Sequence, residues 1–326
     1  MFFVFIIHPG INGYSRAMFP DMVYGKAYKP FVYRTLLPTT IRIVSEITPE
    51  YVKDRIKSAV QDCNPQRKRI RMMKALGWET EYIYEYLIAL TIMFLCFLGF
   101  AFLLRYLIGL FYDFPSFIAD IAPVGALLIL PIFFKYYSYI YDPCTLFLFT
   151  LAVTFIAKKR TLPFYVVFFL ATLNKETSIL LAGVFFIRQF KVMRNSSLAK
   201  HLLFQMLIWI VVKASLTTIF KNNQGSFCEF HLIYNLGLVS KPLELLYFVS
   251  VILIFSVLIR CRWTEKPIFL RHSLFVTMIP LMLLALFLGY IDELRVYYEA
   301  LPFLFLLSLP TVVDIFKLSY NDTLRR

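Results

Sequence analysis

Leu173-Asn174-Lys175-Glu176-Thr177-Ser178 is a charged knot between two apolar runs, residues 162–172 and 179–187. The runs are bounded outside by Lys158-Lys159-Arg160 and by Arg188, Lys191 and Arg194. Basic flanks mark the cytoplasmic ends of membrane segments, so the stretch reads as a short helical hairpin with both outer ends on one side and the polar residues at its tip. An arm of about a dozen helical residues reaches roughly 20 Å, against a hydrocarbon core of about 30 Å. The tip therefore sits within or just short of the far interface. Irregular polar backbone at that depth is tolerated where protein buries it or a water-filled cavity meets it, and ionisable groups there are functional candidates. The blander alternative is a Lys175–Glu176 pair that neutralises itself at a helix turn.

Composition agrees with a bilayer environment. Hydrophobic residues make up 60% of the chain, aromatics 18% and charged residues 17%, with 35 Phe, well outside the usual globular balance. The net charge of +14 would suggest nucleic acid in a soluble protein. Here the basic residues cluster in short loops between apolar runs, which is a topology signal and excludes a nucleic-acid partner. The five cysteines, Cys63, Cys96, Cys144, Cys228 and Cys261, show no metal-ligand spacing and read as packing residues. No metal or cofactor is expected.

The expected fold is an all-α polytopic membrane protein with about nine membrane-embedded helices, the hairpin included. Apolar runs fall at 82–110, 116–134, 143–157, 201–220, 243–259, 269–290 and 300–316, besides the two arms. Residues 1–7 are apolar but too short to span, and read as an interfacial anchor or the end of a first transmembrane helix. Two domains follow: residues 1–81, the anchor with a membrane-associated loop, and residues 82–326, the multi-pass domain. In the loop, Ile41, Val44 and Ile47 define one face of a membrane-lying helix, residues 50–60 form a second, and residues 66–74 carry Arg67, Lys68, Arg69, Arg71 and Lys74.

If the basic stretches 158–160, 188–200, 260–271 and 317–326 are all cytoplasmic, every intervening crossing number is even. The C-terminus is then cytoplasmic and residues 8–81 are extracytoplasmic. The basic stretch 66–74 votes the other way, but long loops translocate largely regardless of charge. In this topology Tyr33-Arg34, the aromatic loop 136–142, the hairpin tip and the stretch 292–299 converge on the extracytoplasmic face. Each carries a titratable group beside aromatics, as a cleft for a polar or phosphorylated ligand requires. The tyrosines Tyr137, Tyr139 and Tyr290 read as interfacial belt residues.

Four motifs stand in order along the chain: Pro-Phe-x-Tyr-Arg-x-Leu-x-Pro at 30–38, Tyr141-Asp142-Pro143 before a span, Leu173-Asn174-Lys175-Glu176-Thr177, and Glu293-Leu294-Arg295-Val296-Tyr297 before the last span. Together they resemble multi-pass bacterial membrane proteins related to the GT-C glycosyltransferases, over residues 20–316. The resemblance implies a GT-C-like fold in the bacterial inner membrane, a large extracytoplasmic first loop with membrane-lying helices, and a polyprenyl-phosphate-linked sugar donor. In that superfamily a first-loop carboxylate, often in an acidic pair, acts as base or positions the acceptor. Here residues 8–45 contain no such pair and Asp21 stands alone.

Attack of an acceptor hydroxyl on an anomeric carbon needs a carboxylate base, and a departing lipid phosphate needs cations. Asp21 and Asp142 are the catalytic candidates. Arg34, Lys175 and Arg295 are candidate phosphate ligands, with Tyr33, Tyr141, Asn174, Glu176, Glu293 and Tyr298 completing the substrate-binding set. The expected ion pairs are Lys175 with Glu176 and Arg295 with Glu293 or Glu299. Without a Gly-rich phosphate loop or nucleotide motif, a lipid-linked donor is favoured over a nucleotide sugar. The expected partners are therefore membrane lipid and a polyprenyl-phosphate sugar. The competing classes are a transporter of a polar or lipid-linked solute, which also places charges at half-helix ends, and a non-catalytic membrane scaffold.

Overall fold

The computed structural model describes residues 1–61 and 75–316. The basic stretch 66–74, the tail 317–326 and Cys63, all used in the sequence reading, lie outside them.

Every regular element among the described residues is helical. The first two long ones, α1 (Leu36–Ile47) and α2 (Glu50–Gln61), belong to the N-terminal loop. Then come α3 (Ile83–Phe111), α4 (Ser116–Ile129) and α5 (Asp142–Ala157). The hairpin arms are α6 (Thr161–Asn174) and α7 (Leu180–Gln189). The described residues close with α8 (Asn195–Ile219), α9 (Pro242–Arg260), α10 (Ile268–Leu288) and α11 (Leu301–Ile315). Proline marks several starts: α5, α9 and α11 each carry it in the first turn, where its missing N–H costs no helical bond.

Among the described residues, five helical stretches are long and apolar enough to cross a bilayer: Thr80–Phe111, Ser116–Phe133 and helices α8, α9 and α10. Helices α5, α6 and α11 are apolar but shorter. The division of labour follows burial. Nearly all of α5 and α11 is covered by neighbouring helices, so these two form the core. The longer helices around them leave Leu95, Phe102, Leu207, Ile210, Leu253 and Leu283 exposed, the surface expected of a protein solvated by lipid chains.

Inside the core, Thr145, Thr150 and Thr154 of α5 each donate a hydroxyl to the carbonyl four residues earlier, at 2.7–3.0 Å, so none of these three hydroxyls is left bare. Close approach needs small residues. A Cβ on Gly99 of α3 would stand 2.6 Å from the Phe147 ring of α5, and one on Gly183 of α7 would overlap Val276 of α10.

The basic loops meet at one end of the bundle. Arg188, ending α7, donates to the Ala157 carbonyl that ends α5 at 3.1 Å. Lys158 lies over the Tyr106 ring, and Arg262 pairs with Asp314 of α11.

The N-terminal segment closes the opposite end. Phe5 is wedged between Phe97 and Phe134, with ring centroids 5.5 and 5.1 Å away. Phe19 stacks on Tyr86 at 4.1 Å, and the Asn223 amide binds the carbonyls of Gly25 and Ala27. The loop is thus tied to the bundle by both backbone and rings.

Helix α1 corrects one expectation. It buries Leu37, Ile41 and Ser45, and leaves Ile43, Val44 and Ile47 exposed. Ile41 therefore does not share a face with the other two in use. The cause is Glu85 of α3, which accepts the Ser45 hydroxyl at 2.6 Å and turns that side of the helix inward.

Candidate functional site

Lys175 is the break between the hairpin arms. Its backbone is extended, with φ −159° and ψ 139°, and in extended chain successive side chains point to opposite sides. Lys175 consequently reaches inward and Glu176 outward, so they do not pair with each other as the sequence suggested. The Lys175 ammonium meets Glu299, just before α11, at 2.8 Å. Glu176 instead faces Arg34 at 3.3 Å and Lys213 of α8 at 3.8 Å. Burial disfavours the charged Glu176 carboxylate, but Arg34 and then Lys213 more than reverse this and hold its pKa at about 2.

Three neighbours fix the tip. Thr35 N–H donates to the Leu173 carbonyl at 2.9 Å. The Trp209 indole N–H donates to the Glu176 carbonyl at 2.9 Å. The Asn174 amide donates to the Tyr141 carbonyl at 3.2 Å and to the Thr145 hydroxyl at 2.9 Å.

The aromatic loop before α5 supplies a platform. Phe31, Tyr139 and Tyr141 stack in series with centroid spacings of 5.2 Å. The Arg34 guanidinium lies 4.3 Å from the Tyr141 centroid and that of Arg295 4.2 Å from the Tyr139 centroid. Arg295 also binds Glu293 at 2.7 Å, the pairing expected from sequence, and stands 3.7 Å from Asp142. Asp142 is fully buried at the start of α5, its other oxygen accepting the Tyr139 N–H at 3.1 Å. Tyr139 is therefore no belt residue, because it is buried between a guanidinium and a second ring.

The structure thus brings Arg34, Tyr141, Asp142, Asn174, Lys175, Glu176, Glu293 and Arg295 together. Tyr33 and Tyr298 are buried at the margins, Tyr33 under the Lys213 ammonium and Tyr298 against Phe133. Asp21 lies elsewhere. It sits in a one-turn helix near Tyr82, and among the described residues its carboxylate makes no ion pair with Arg34, Lys175 or Arg295.

Two cluster members were missed as sites. Lys213, the lone charge within an otherwise apolar run, was legible by the intramembrane-charge rule. Glu299 reads from the sequence as a partner for Arg295 and not as a site residue.

The cluster is electrically balanced: Arg34, Lys175, Lys213 and Arg295 face Asp142, Glu176, Glu293 and Glu299. It is also tightly packed. The cavity beside Asn174, Lys175, Ser178 and Glu299 measures about 10 Å³, space for about one water. Several buried polar atoms nonetheless have no hydrogen-bond partner, notably Nε and Nη1 of Arg34, the Tyr141 hydroxyl and one carboxylate oxygen each of Asp142 and Glu299. Such atoms in a native site call for an explanation such as a water or ligand. Comparison with family models, with curated proteins and with solved structures returns no match to this chain.

Proposed function

We propose that the protein is an integral membrane glycosyltransferase of GT-C-like architecture, with about nine embedded helices and a cytoplasmic C-terminus in a bacterial inner membrane. In this reading it moves a sugar from a polyprenyl-phosphate donor to an extracytoplasmic acceptor. The observation that carries it is the juxtaposition of a buried carboxylate, Asp142, with two guanidiniums seated on neighbouring tyrosine rings. Asp142 acts as the base. Arg34, whose Nε and Nη1 are buried without a partner, takes the donor phosphate, and the Tyr139–Tyr141 stack supports the sugar. Donor entry requires the Arg34–Glu176 pair to part. Asp21 has no role here because it stands apart from these groups.

The test uses purified full-length protein with polyprenyl-phosphate hexoses as donors. Retention of a donor by the wild type, weakened by Arg34→Gln, together with loss of transfer in Asp142→Asn, is the expected outcome. A wild type that neither binds nor transfers any of these donors overturns the reading.

A second reading, a non-catalytic membrane scaffold, is favoured by the balance of the cluster, in which each cation already has a carboxylate partner. In that case Asp142→Asn and Arg34→Gln change thermal stability and leave donor binding absent throughout.

A further inference from the structure

Helices α9 and α10 both lean on α11 and diverge from each other. The wedge between them is a cavity of about 340 Å³, within the size range of ligand sites. Its wall is apolar along its length, from Phe133 and Tyr297 at one end, past Phe248, Phe255 and Met278, to Arg260 and Trp263 at the other. The second end is the basic end of the bundle, away from the charge cluster.

Three features there are unlike the rest of the groove. Arg260 is exposed at the mouth and, among the described residues, makes no ion pair. Trp263 forms the adjacent wall, and the Arg271 guanidinium lies 5.2 Å from its ring centroid. Arg271 Nε is buried and has no hydrogen-bond partner. Nearby Arg262 differs in being held by Glu265 and Asp314. Two cations without carboxylates thus adjoin a tryptophan where an apolar slot opens, Arg260 in the wall of the slot and Arg271 against the Trp263 ring outside that wall. A tryptophan at the interface places its ring among glycerol and headgroup atoms. Basic pockets between transmembrane helices are sites for anionic lipid headgroups.

We infer that this groove binds an anionic glycerophospholipid, its phosphodiester on Arg260 and Arg271 and an acyl chain along α9 and α10. The site is independent of the charge cluster and of the transferase reading. Its occupant enters from the leaflet next to the basic loops, whereas the cluster lies at the opposite end.

The experiment measures lipid retained by the purified full-length protein, by native mass spectrometry from detergent. Phosphatidylglycerol is set against phosphatidylcholine of identical chains, glycerol phosphate and a polyprenyl phosphate. Phosphatidylglycerol is expected to be preferred over phosphatidylcholine by roughly tenfold, as two interfacial cations imply, and tailless glycerol phosphate is not retained. Arg260→Gln lowers the preference and Arg260→Gln/Arg271→Gln abolishes it, while Ser256→Trp, which fills the slot, blocks both phospholipids. Because Arg271 packs on Trp263, the single Arg260→Gln variant, with its melting temperature measured alongside, keeps the test valid if the double variant unfolds. Equal retention of the two phospholipids, a preference that survives Arg260→Gln undiminished, or stronger retention of the polyprenyl phosphate would each overturn the assignment.

Discussion

The two ends of the helical bundle handle charge in opposite ways. At the hairpin-tip end, cations meet carboxylates from distant segments under cover, as Lys175 meets Glu299 and Arg295 meets Glu293 and Asp142. At the basic end, among the described residues, only the half-exposed Arg262 pairs with carboxylates, those of Glu265 and Asp314, while Arg188, Lys158 and Lys266 meet carbonyls and rings. Lys266 there is almost fully buried, yet its ammonium binds the Leu258 and Ile259 carbonyls at 2.8 Å and the Thr311 hydroxyl at 3.3 Å. A buried charge that relies on an opposite charge belongs to a coupled network. One that relies on dipoles caps a helix, and removing it disturbs mainly its own surroundings.

The widest gap between the ends should come from breaking one pair. Lys175→Met alone leaves Glu299 buried without its partner and should cost about 3–5 kcal/mol, while Lys175→Met/Glu299→Leu should recover most of it, because an apolar replacement of both partners is often neutral. Thermal unfolding in detergent reads this. A single variant as stable as wild type would show that the tip charges are not coupled.

At the other end, Lys266→Met strips a donor from two carbonyls that terminate α9. The expected cost is about 1–3 kcal/mol, the penalty for buried acceptors left unmade. No second substitution of a carboxylate should rescue it. Rescue by Asp314→Leu would mean that this end, too, is a charge network.

Acid titration sharpens the comparison further. The folded pKa of Glu176 is about 2, below the roughly 4.3 of a free glutamate. Its contribution to stability is therefore complete above about pH 5 and is lost as pH falls toward 2. Glu176→Gln should flatten that limb of the stability profile, and an unchanged limb would show that Glu176 is not what titrates there. The smallest effect belongs to the Arg105–Asp120 pair, exposed on both sides. Arg105→Ala should change stability by less than about 1 kcal/mol, and a larger loss would mark the α3–α4 turn as a structural joint.

Much of this architecture was legible because bilayer physics is blunt. Apolar length and basic flanks located the hairpin, the helices and the gathering of four polar segments at one end. What could not be read was the pairing. Local proximity suggested Lys175 with Glu176, but one residue of extended backbone sends them apart. The tyrosines behaved similarly. Tyr139 has belt composition and a core position, and nothing in its neighbours along the chain foretells Arg295 on its face. Lys213 was missed although its solitude inside an apolar helix was a usable signal, whereas the position of Asp21 apart from the cluster's ion pairs is set by tertiary placement alone.

The contacts of Glu299 set an order of events during synthesis. Thr177 and Glu299 are 122 positions apart, and Lys175 has the same distant partner. The hairpin therefore leaves the ribosome long before the carboxylate that pairs with Lys175 exists. Until Glu299 is made, Lys175 lacks its carboxylate and Thr177 its acceptor. Chains halted before residue 299 carry the Lys175 ammonium at the hairpin tip without its Glu299 partner.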